Sequence, residues 1–438
     1  MKVKLYTFLS LLVAAVMLLS ACGGATQEAT SEPEEAQPAE GEVVTLKFWN
    51  GFSAHEVDTL NQMIEKYWDP THPNIKVIAE GEKSGEAMLT AMSGGEPPDV
   101  LMAPSSEVVS LWAHQGAIMD LTSSVEPIKA DLEAQQVKAG LDWTVYDGKF
   151  YALPFVNYNW GLFYNKDLFT EAGLDPEKPP KDMAELADYA RKLTKVDANG
   201  NITQLGWMPM TNEWSAINYL MNWGGKFYDP TTGQPTANDA AIIKAFEWDL
   251  ALANEYGLGK ITTFTSGFTE GDNPFQLGKV AMYIDGCWMV TFNANYAETL
   301  NYGVAAIPYG DENFANANDV GTNPIVIPVG SKHPKEAMEF AIFFSMNEQI
   351  SSEFSALISN LPQLKSQLST FTDDPRTKFF AEYSNSATAG AWAPVPYSSK
   401  YIDELITAIG KMYNEGVDPK TAMDEAQATM EEIAKEYK

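Results

Sequence analysis

The period of apolar positions changes repeatedly along the chain. Val43-Val44-Thr45-Leu46-Lys47-Phe48-Trp49 is rich in β-branched and aromatic residues and predicts a strand that ends at Asn50-Gly51. Val57, Leu60, Met63, Ile64 and Tyr67 then recur at helical spacing until Pro70 and Pro73 stop the pattern. Ile75 to Ile78 predicts a second strand, Glu86 to Met92 a helix, Gly94 to Pro98 a break, and Asp99 to Met102 a third strand. A helix over Ser106 to His114 completes a β-α-β-α-β-α alternation, the pattern of a mostly parallel sheet covered by helices. Farther on, Gly148 to Lys166 is a long aromatic stretch of extended character. Helical spacing is expected over Met183 to Leu193, Glu213 to Trp223 and Asp239 to Tyr256, and strands over Val280 to Ile284, Tyr302 to Ile307 and Ile325 to Val329. The last third reads as helices at Pro334 to Met346, Glu348 to Ile358, Ser399 to Glu415 and Lys420 to Tyr437. No repeat of fixed period is present.

Composition narrows the function classes. The 438 residues suffice for two or three domains with large cores. A formal net charge of −30 opposes nucleic-acid binding, which needs cations against phosphates. Only Arg191 and Arg376 carry guanidinium groups, so an arginine clamp for phosphate or carboxylate is not expected. Two cysteines and four dispersed histidines argue against a disulfide scaffold and against a metal centre, and no cofactor is expected. The motifs of serine hydrolases, phosphate-binding loops and paired-histidine metalloenzymes are missing, so the chain is not expected to be an enzyme; a carboxylate-pair glycosidase is the enzymatic alternative. Asp197 to Asn201 reads as a turn rather than a calcium loop, because neither the glycine nor the glutamate falls where such a loop requires it.

The first residues read as a targeting segment. Lys2 and Lys4 precede an uncharged stretch from Leu5 to Ala21, followed by Leu19-Ser20-Ala21-Cys22-Gly23. The last of these resembles the bacterial lipobox, which implies a signal peptide over residues 1–21 and acylation of Cys22. Residues 22–42, with six glutamates and no base, read as an acidic flexible tether. The expectation is an extracytoplasmic protein, anchored to the cell membrane by lipid.

Several words in order resemble the family 1 extracellular solute-binding proteins, the receptors of sugar-importing ABC transporters. They are Leu46-Lys47-Phe48-Trp49, Gly94-Gly95-Glu96-Pro97-Pro98-Asp99-Val100, Tyr151-Ala152-Leu153-Pro154, Leu162-Phe163-Tyr164-Asn165-Lys166, Phe275-Gln276-Leu277-Gly278-Lys279-Val280-Ala281-Met282, Gly286-Cys287-Trp288, Tyr302-Gly303-Val304-Ala305-Ala306-Ile307-Pro308 and Pro334-Lys335-Glu336-Ala337. The resemblance covers about residues 43–435. It implies an α/β, two-lobed periplasmic-binding-protein-like fold of type II, with residues 43–157 and 325–365 in lobe 1 and residues 158–324 and 366–438 in lobe 2. Ligand would lie in the cleft between lobes joined by crossing hinge segments. It also implies a carbohydrate ligand, ABC permease partners and, on this reading, a monomer. A receptor for a polyamine or another non-sugar solute is the alternative.

A sugar presents C–H faces and hydroxyl edges, so its site needs aromatic platforms and planar hydrogen-bonding groups. In lobe 1 the resemblance places ligand-facing loops at Trp49 and Asn50 and at Ser105 and Ser106. On the crossing strand it points to Tyr158, at a position where relatives that bind maltodextrins carry an acid. Strand alternation aims Tyr158 and Trp160 to one side, and Asn157 and Asn159 to the other. In lobe 2 it points to Glu213 and Trp214 at a helix start, to Trp288 after Gly286 and to Asn323 in a loop; beside these, Asp285 can accept from sugar hydroxyls, and Trp392 and Tyr397 form a late aromatic pair in a loop fixed by Pro394 and Pro396.

Overall fold

A computed structural model describes residues 43–437 except 211–212, 230, 270 and 385–394; of Glu213 and Trp214 only the backbone is described. The segments expected as signal peptide and tether, Cys22, the side chains of Glu213 and Trp214, and Trp392 therefore lie outside the described residues. Among the described residues no helix is long and apolar enough to cross a membrane.

Two sheets organise residues 43–437. The first strands are β1 (Val44–Trp49), β2 (Ile75–Glu80) and β3 (Val100–Met102). They are parallel, β1 lying between β2 and β3, and are linked by the helices Ala54–Met63 and Gly85–Ser93. Next come β4 (Leu153–Tyr158) and β5 (Trp160–Asn165), then β6 (Met282–Gly286), β7 (Tyr302–Ala305), β8 (Gly321–Val326) and β9 (Leu361–Pro362). The six-stranded sheet has the order β9-β4-β8-β3-β1-β2, and the three-stranded sheet the order β6-β5-β7.

The expected parallel pairing holds for β1 to β3 only. Strands β8, β4 and β9 join that sheet antiparallel, and every pair in the second sheet is antiparallel. The reason is topological: the chain leaves the first sheet for the second through β4 and returns to it through β8, so these two strands are the crossing segments rather than parts of parallel strand-helix-strand units. Strand β8 also begins at Gly321, four residues before the expected start, so Asn323 is a strand residue rather than a loop residue.

Each sheet has its own core. In β1 the buried residues Val44, Leu46 and Phe48 alternate with exposed ones, and Phe48 meets Phe340 edge-on at 5.3 Å between ring centres. Phe155 of β4 joins this core, and Phe344 and Phe354 close it from the helices Pro334–Met346 and Glu348–Ile358. The second core gathers Leu162, Leu186, Tyr219, Phe246 and Met282 with Leu405 and Met430 from the last helices. Strands β4 and β5 are buried along their whole length, which explains why they read as continuous apolar and aromatic sequence without alternation.

A single residue, Asn159, separates β4 in one sheet from β5 in the other. Its Nδ2 donates to the Phe380 carbonyl at 2.8 Å and to Ser384 Oγ at 2.9 Å. A second connection, leading into β8, is laced to the first: Trp160 N donates to Asn318 Oδ1 at 3.1 Å and Asn318 Nδ2 donates to the Trp160 carbonyl at 2.6 Å. The two links thus share hydrogen bonds at the point where the chain passes between the sheets.

Candidate functional site

Where β4 and β5 meet, the strand ends leave a cavity of about 520 Å³, within the range of small-molecule sites. The lining comes from the loop after β1 (Gly51, Phe52, Ser53), from Glu56, from Pro104 and Ser105 after β3, from Tyr158 and Trp160, from Trp288 and Phe292, and from Asn323 and Asn360. Both sheets contribute: Tyr158 ends β4, Trp160 begins β5, and Trp288 follows β6.

Three aromatic rings meet at this point. Trp288 stands edge-to-face with Trp160, ring centres 5.0 Å apart at 83°, and with Tyr158 at 6.0 Å and 76°. Two of them lie against glycines. A Cβ on Gly286 would run into the Trp288 indole, and a Cβ on Gly321, opposite Tyr158 in the β4–β8 pairing, would run into the Tyr158 ring. Trp288 is half-buried, so part of the indole remains available to a ligand.

Polar groups frame the rings. Glu56 Oε2 accepts from Ser53 N at 2.9 Å and from Ser53 Oγ at 2.8 Å, a capping box at the start of the helix Ala54–Met63 that fixes the carboxylate beside the cavity. Ser105 Oγ donates to Glu107, and Asn323 Nδ2 donates to the Pro104 carbonyl at 3.3 Å. Among the described residues no Lys or Arg lines the cavity. Lys83 lies over the Trp49 ring at 4.9 Å and pairs with Glu80 at 3.2 Å.

Acids gather beneath this surface. Burial pushes the Glu107 carboxyl up to about 7, with Ser105 opposing. Burial, with the charge of Glu107, likewise pushes Asp319 up to about 7. Burial raises Asp285 to about 7 against the N–H of Gly286, which donates to its Oδ1 at 2.7 Å. Burial and then the charges of Glu107 and Asp319 hold the Tyr158 phenol well above its ordinary range. An unfolded carboxyl titrates near 4, so the folded state binds more protons between about pH 4 and 7. The stability these acids contribute is therefore complete below about pH 4 and lost as pH rises through 7. Carboxyls held low by surface partners, such as Asp120 and Asp175, titrate below this window. The ligand-free protein is expected to melt at a higher temperature at about pH 5.5 than at about pH 8, and the Glu107→Gln, Asp319→Asn double variant to flatten that dependence. A melting temperature that falls on acidification in this window would contradict the assignment.

Of the residues expected from sequence, the structure brings Ser105, Tyr158, Trp288 and Asn323 together around the cavity. The expected alternation is present: Tyr158 and Trp160 both line it, while Asn157 Nδ2 and Asn159 Nδ2 turn to the Pro362 and Phe380 carbonyls. Trp49, Asn50, Ser106, Asp285 and Tyr397 are not lining residues. Trp49 lies under Lys83; Asn50 is buried and its Oδ1 accepts from Phe52 N at 3.1 Å, shaping the loop. Ser106 is buried and bonds the backbone of Thr322 twice, accepting at 2.8 Å and donating at 2.9 Å, which fastens the loop after β3 to β8. Tyr397 is buried and donates to the Gly233 carbonyl. Cys287 is a buried packed thiol, as its neighbours suggest. Asp197 accepts from the N–H groups of Asn199 and Asn201 at 2.8 and 2.9 Å, closing a turn on itself.

The sequence reading overlooked Glu56, Phe292 and Asn360. Ser53-x-x-Glu56 has the sequence of a capping box, a local signal that marks a helix start but not that the start faces a cavity. Asn360 precedes β9, a strand too short to read, and Phe292 lies on a helix with no strong periodic signal.

An α/β chain whose two larger sheets are joined by crossing segments, with a cavity at their meeting point, has the architecture of a two-lobed solute receptor. Residues 53–349 match the bacterial extracellular solute-binding proteins, and the chain belongs to that family. It is 25% identical over 439 residues to the galactooligosaccharide-binding protein of Bacillus subtilis, spanning 96% of this chain and 95% of that one. It is 26% identical over 281 residues to the sn-glycerol-3-phosphate-binding periplasmic protein of Salmonella typhimurium, spanning 61% of each. Among solved structures, CpMnBP1 with mannobiose bound superposes with a TM-score of 0.80 at 28% identity, over 88% of this chain and 99% of that one.

Proposed function

We propose that this protein is the extracytoplasmic receptor of an ABC importer, that it binds a carbohydrate between its two lobes, and that it delivers the sugar to a membrane permease. The observation that carries the reading is the cavity itself, where Tyr158, Trp160 and Trp288 converge beside Glu56, Ser105 and Asn323 with no lining cation. Aromatic faces suit the C–H faces of a pyranose, and amide, hydroxyl and carboxylate groups suit its hydroxyls. The likeness to a galactooligosaccharide-binding protein and to a mannobiose complex supports the same ligand class. That no cation lines the cavity among the described residues disfavours a phosphorylated polyol, which would have to desolvate its charge without a partner there.

Contacts from both sheets, with the chain crossing between them at Asn159 and at the segment laced to it, favour binding by closure about those crossings. Glu213, Trp214 and Trp392 are proposed to complete the site from lobe 2. The N-terminal lipobox supports attachment through an acylated Cys22, with residues 22–42 as the tether. Cys22→Ser should release soluble or unprocessed protein, and tight lipid anchoring that persisted in this variant would oppose the assignment.

A second reading rests on the acids: Glu56, Glu107 and Asp319 near a cavity without cations would suit a polyamine. Thermal shift against mono- and oligosaccharides, polyamines and glycerol phosphate separates the readings, because a ligand of the native state alone raises the melting temperature. Sugars are expected to shift it. A shift with polyamines only would replace the sugar reading.

A further inference from the structure

We infer that the ligand cleft continues outward along the helix Met289–Tyr296 into a second binding surface, which takes the outer residues of an oligosaccharide longer than a disaccharide. The inference rests on the carbohydrate reading above and names the length class of the ligand.

Three aromatic residues mark the path. Trp288 is the N-cap of this helix, and Phe292 and Tyr296 follow at successive steps of four. That spacing keeps them on one helix face, each about 6 Å farther along the axis. Aromatic residues at such spacing ordinarily form a core stripe, but this stripe runs from the half-buried Trp288 to Tyr296, which is 68% exposed. The Phe292 and Tyr296 rings stand 5.9 Å apart at 49°.

A second cavity of about 700 Å³ lies on the same path. Phe292 lines both this cavity and the first, so one ring borders the two surfaces, and Tyr296 lines the outer one only. Its rim carries Asp272, Asn273 and Gln276, a carboxylate and two amides of the kind that pair with sugar hydroxyls. Gln276 is held in place by donating to Asn293 Oδ1 at 3.0 Å, on the same helix as the aromatic residues. Leu277, on the rim, is 53% exposed and adds apolar surface. Aromatic faces flanked by planar polar groups thus recur outside the cleft in the combination found inside it.

The test is calorimetric titration of disaccharide and hexasaccharide from the mannose, maltose and galactose series into the parent protein, Tyr296→Ala and Trp288→Ala. In the series that binds, the parent should hold the hexasaccharide roughly tenfold tighter than the disaccharide. Tyr296→Ala should erase that advantage and leave disaccharide affinity unchanged, while Trp288→Ala should weaken both. Equal affinity for the two lengths in the parent, or an advantage that survives Tyr296→Ala, would overturn the outer surface and leave the inner site standing. Equal loss of both lengths in Tyr296→Ala would make the residue structural. If no sugar of any series binds the parent, the carbohydrate reading fails and the outer surface with it.

Discussion

Replacing Trp288 by alanine should remove most of the sugar affinity and leave the fold intact. The indole projects into the cavity from the turn after β6, against Gly286, with its edge toward Tyr158 and Trp160. Truncating a stacking platform at a binding hot spot costs about 2 kcal/mol or more, roughly thirtyfold in dissociation constant. A fully buried tryptophan would instead withdraw about 3–5 kcal/mol of stability. Trp288 is half-buried, so the free protein should lose only a few degrees of melting temperature, while the ligand-induced shift should vanish. A free protein that unfolds, or one that binds sugar as well as the parent, would return Trp288 to the core. Gly286→Ala offers an independent check, because its Cβ would displace the indole without removing it.

The reverse outcome is expected at Asp249, where stability should fall and binding chemistry remain. This carboxylate is fully buried in the helix Ala240–Tyr256. It accepts from Trp207 Nε1 at 2.8 Å, from Met210 N at 3.0 Å and from the Tyr413 hydroxyl. Burial raises its pKa, and those three donors oppose the rise. Asp249→Ala leaves the donors buried without an acceptor, at about 4 kcal/mol, or roughly 5 °C in a chain of this length. A melting temperature unchanged in Asp249→Ala would contradict this account of the network.

Much of the architecture was legible because its elements carry local signals. Alternation in β1 and helical spacing after it located the parallel half of the first sheet. The antiparallel additions were not legible, since β4, β5 and β8 are buried on both faces and their sequence carries no direction. In the site, Tyr158 and Trp288 stood out because each is a large ring close to a strand end, and Gly286 beside Trp288 announced a close approach. Ser106 and Asn50 sat at the right strand ends, but strand ends also need fastening, and hydrogen bonds to Thr322 and Phe52 engage them there. Phe292 and Asn360 reach the cavity through tertiary placement alone, which no local pattern encodes.

The most direct test of the central claim is a crystal structure of the protein with the sugar that gives the largest thermal shift. The account predicts a pyranose ring between the two sheets, stacked on Trp288 and within hydrogen-bonding distance of Glu56, Ser105 or Asn323. Sugar bound elsewhere, with the cavity between β4 and β5 filled only by water, would contradict it.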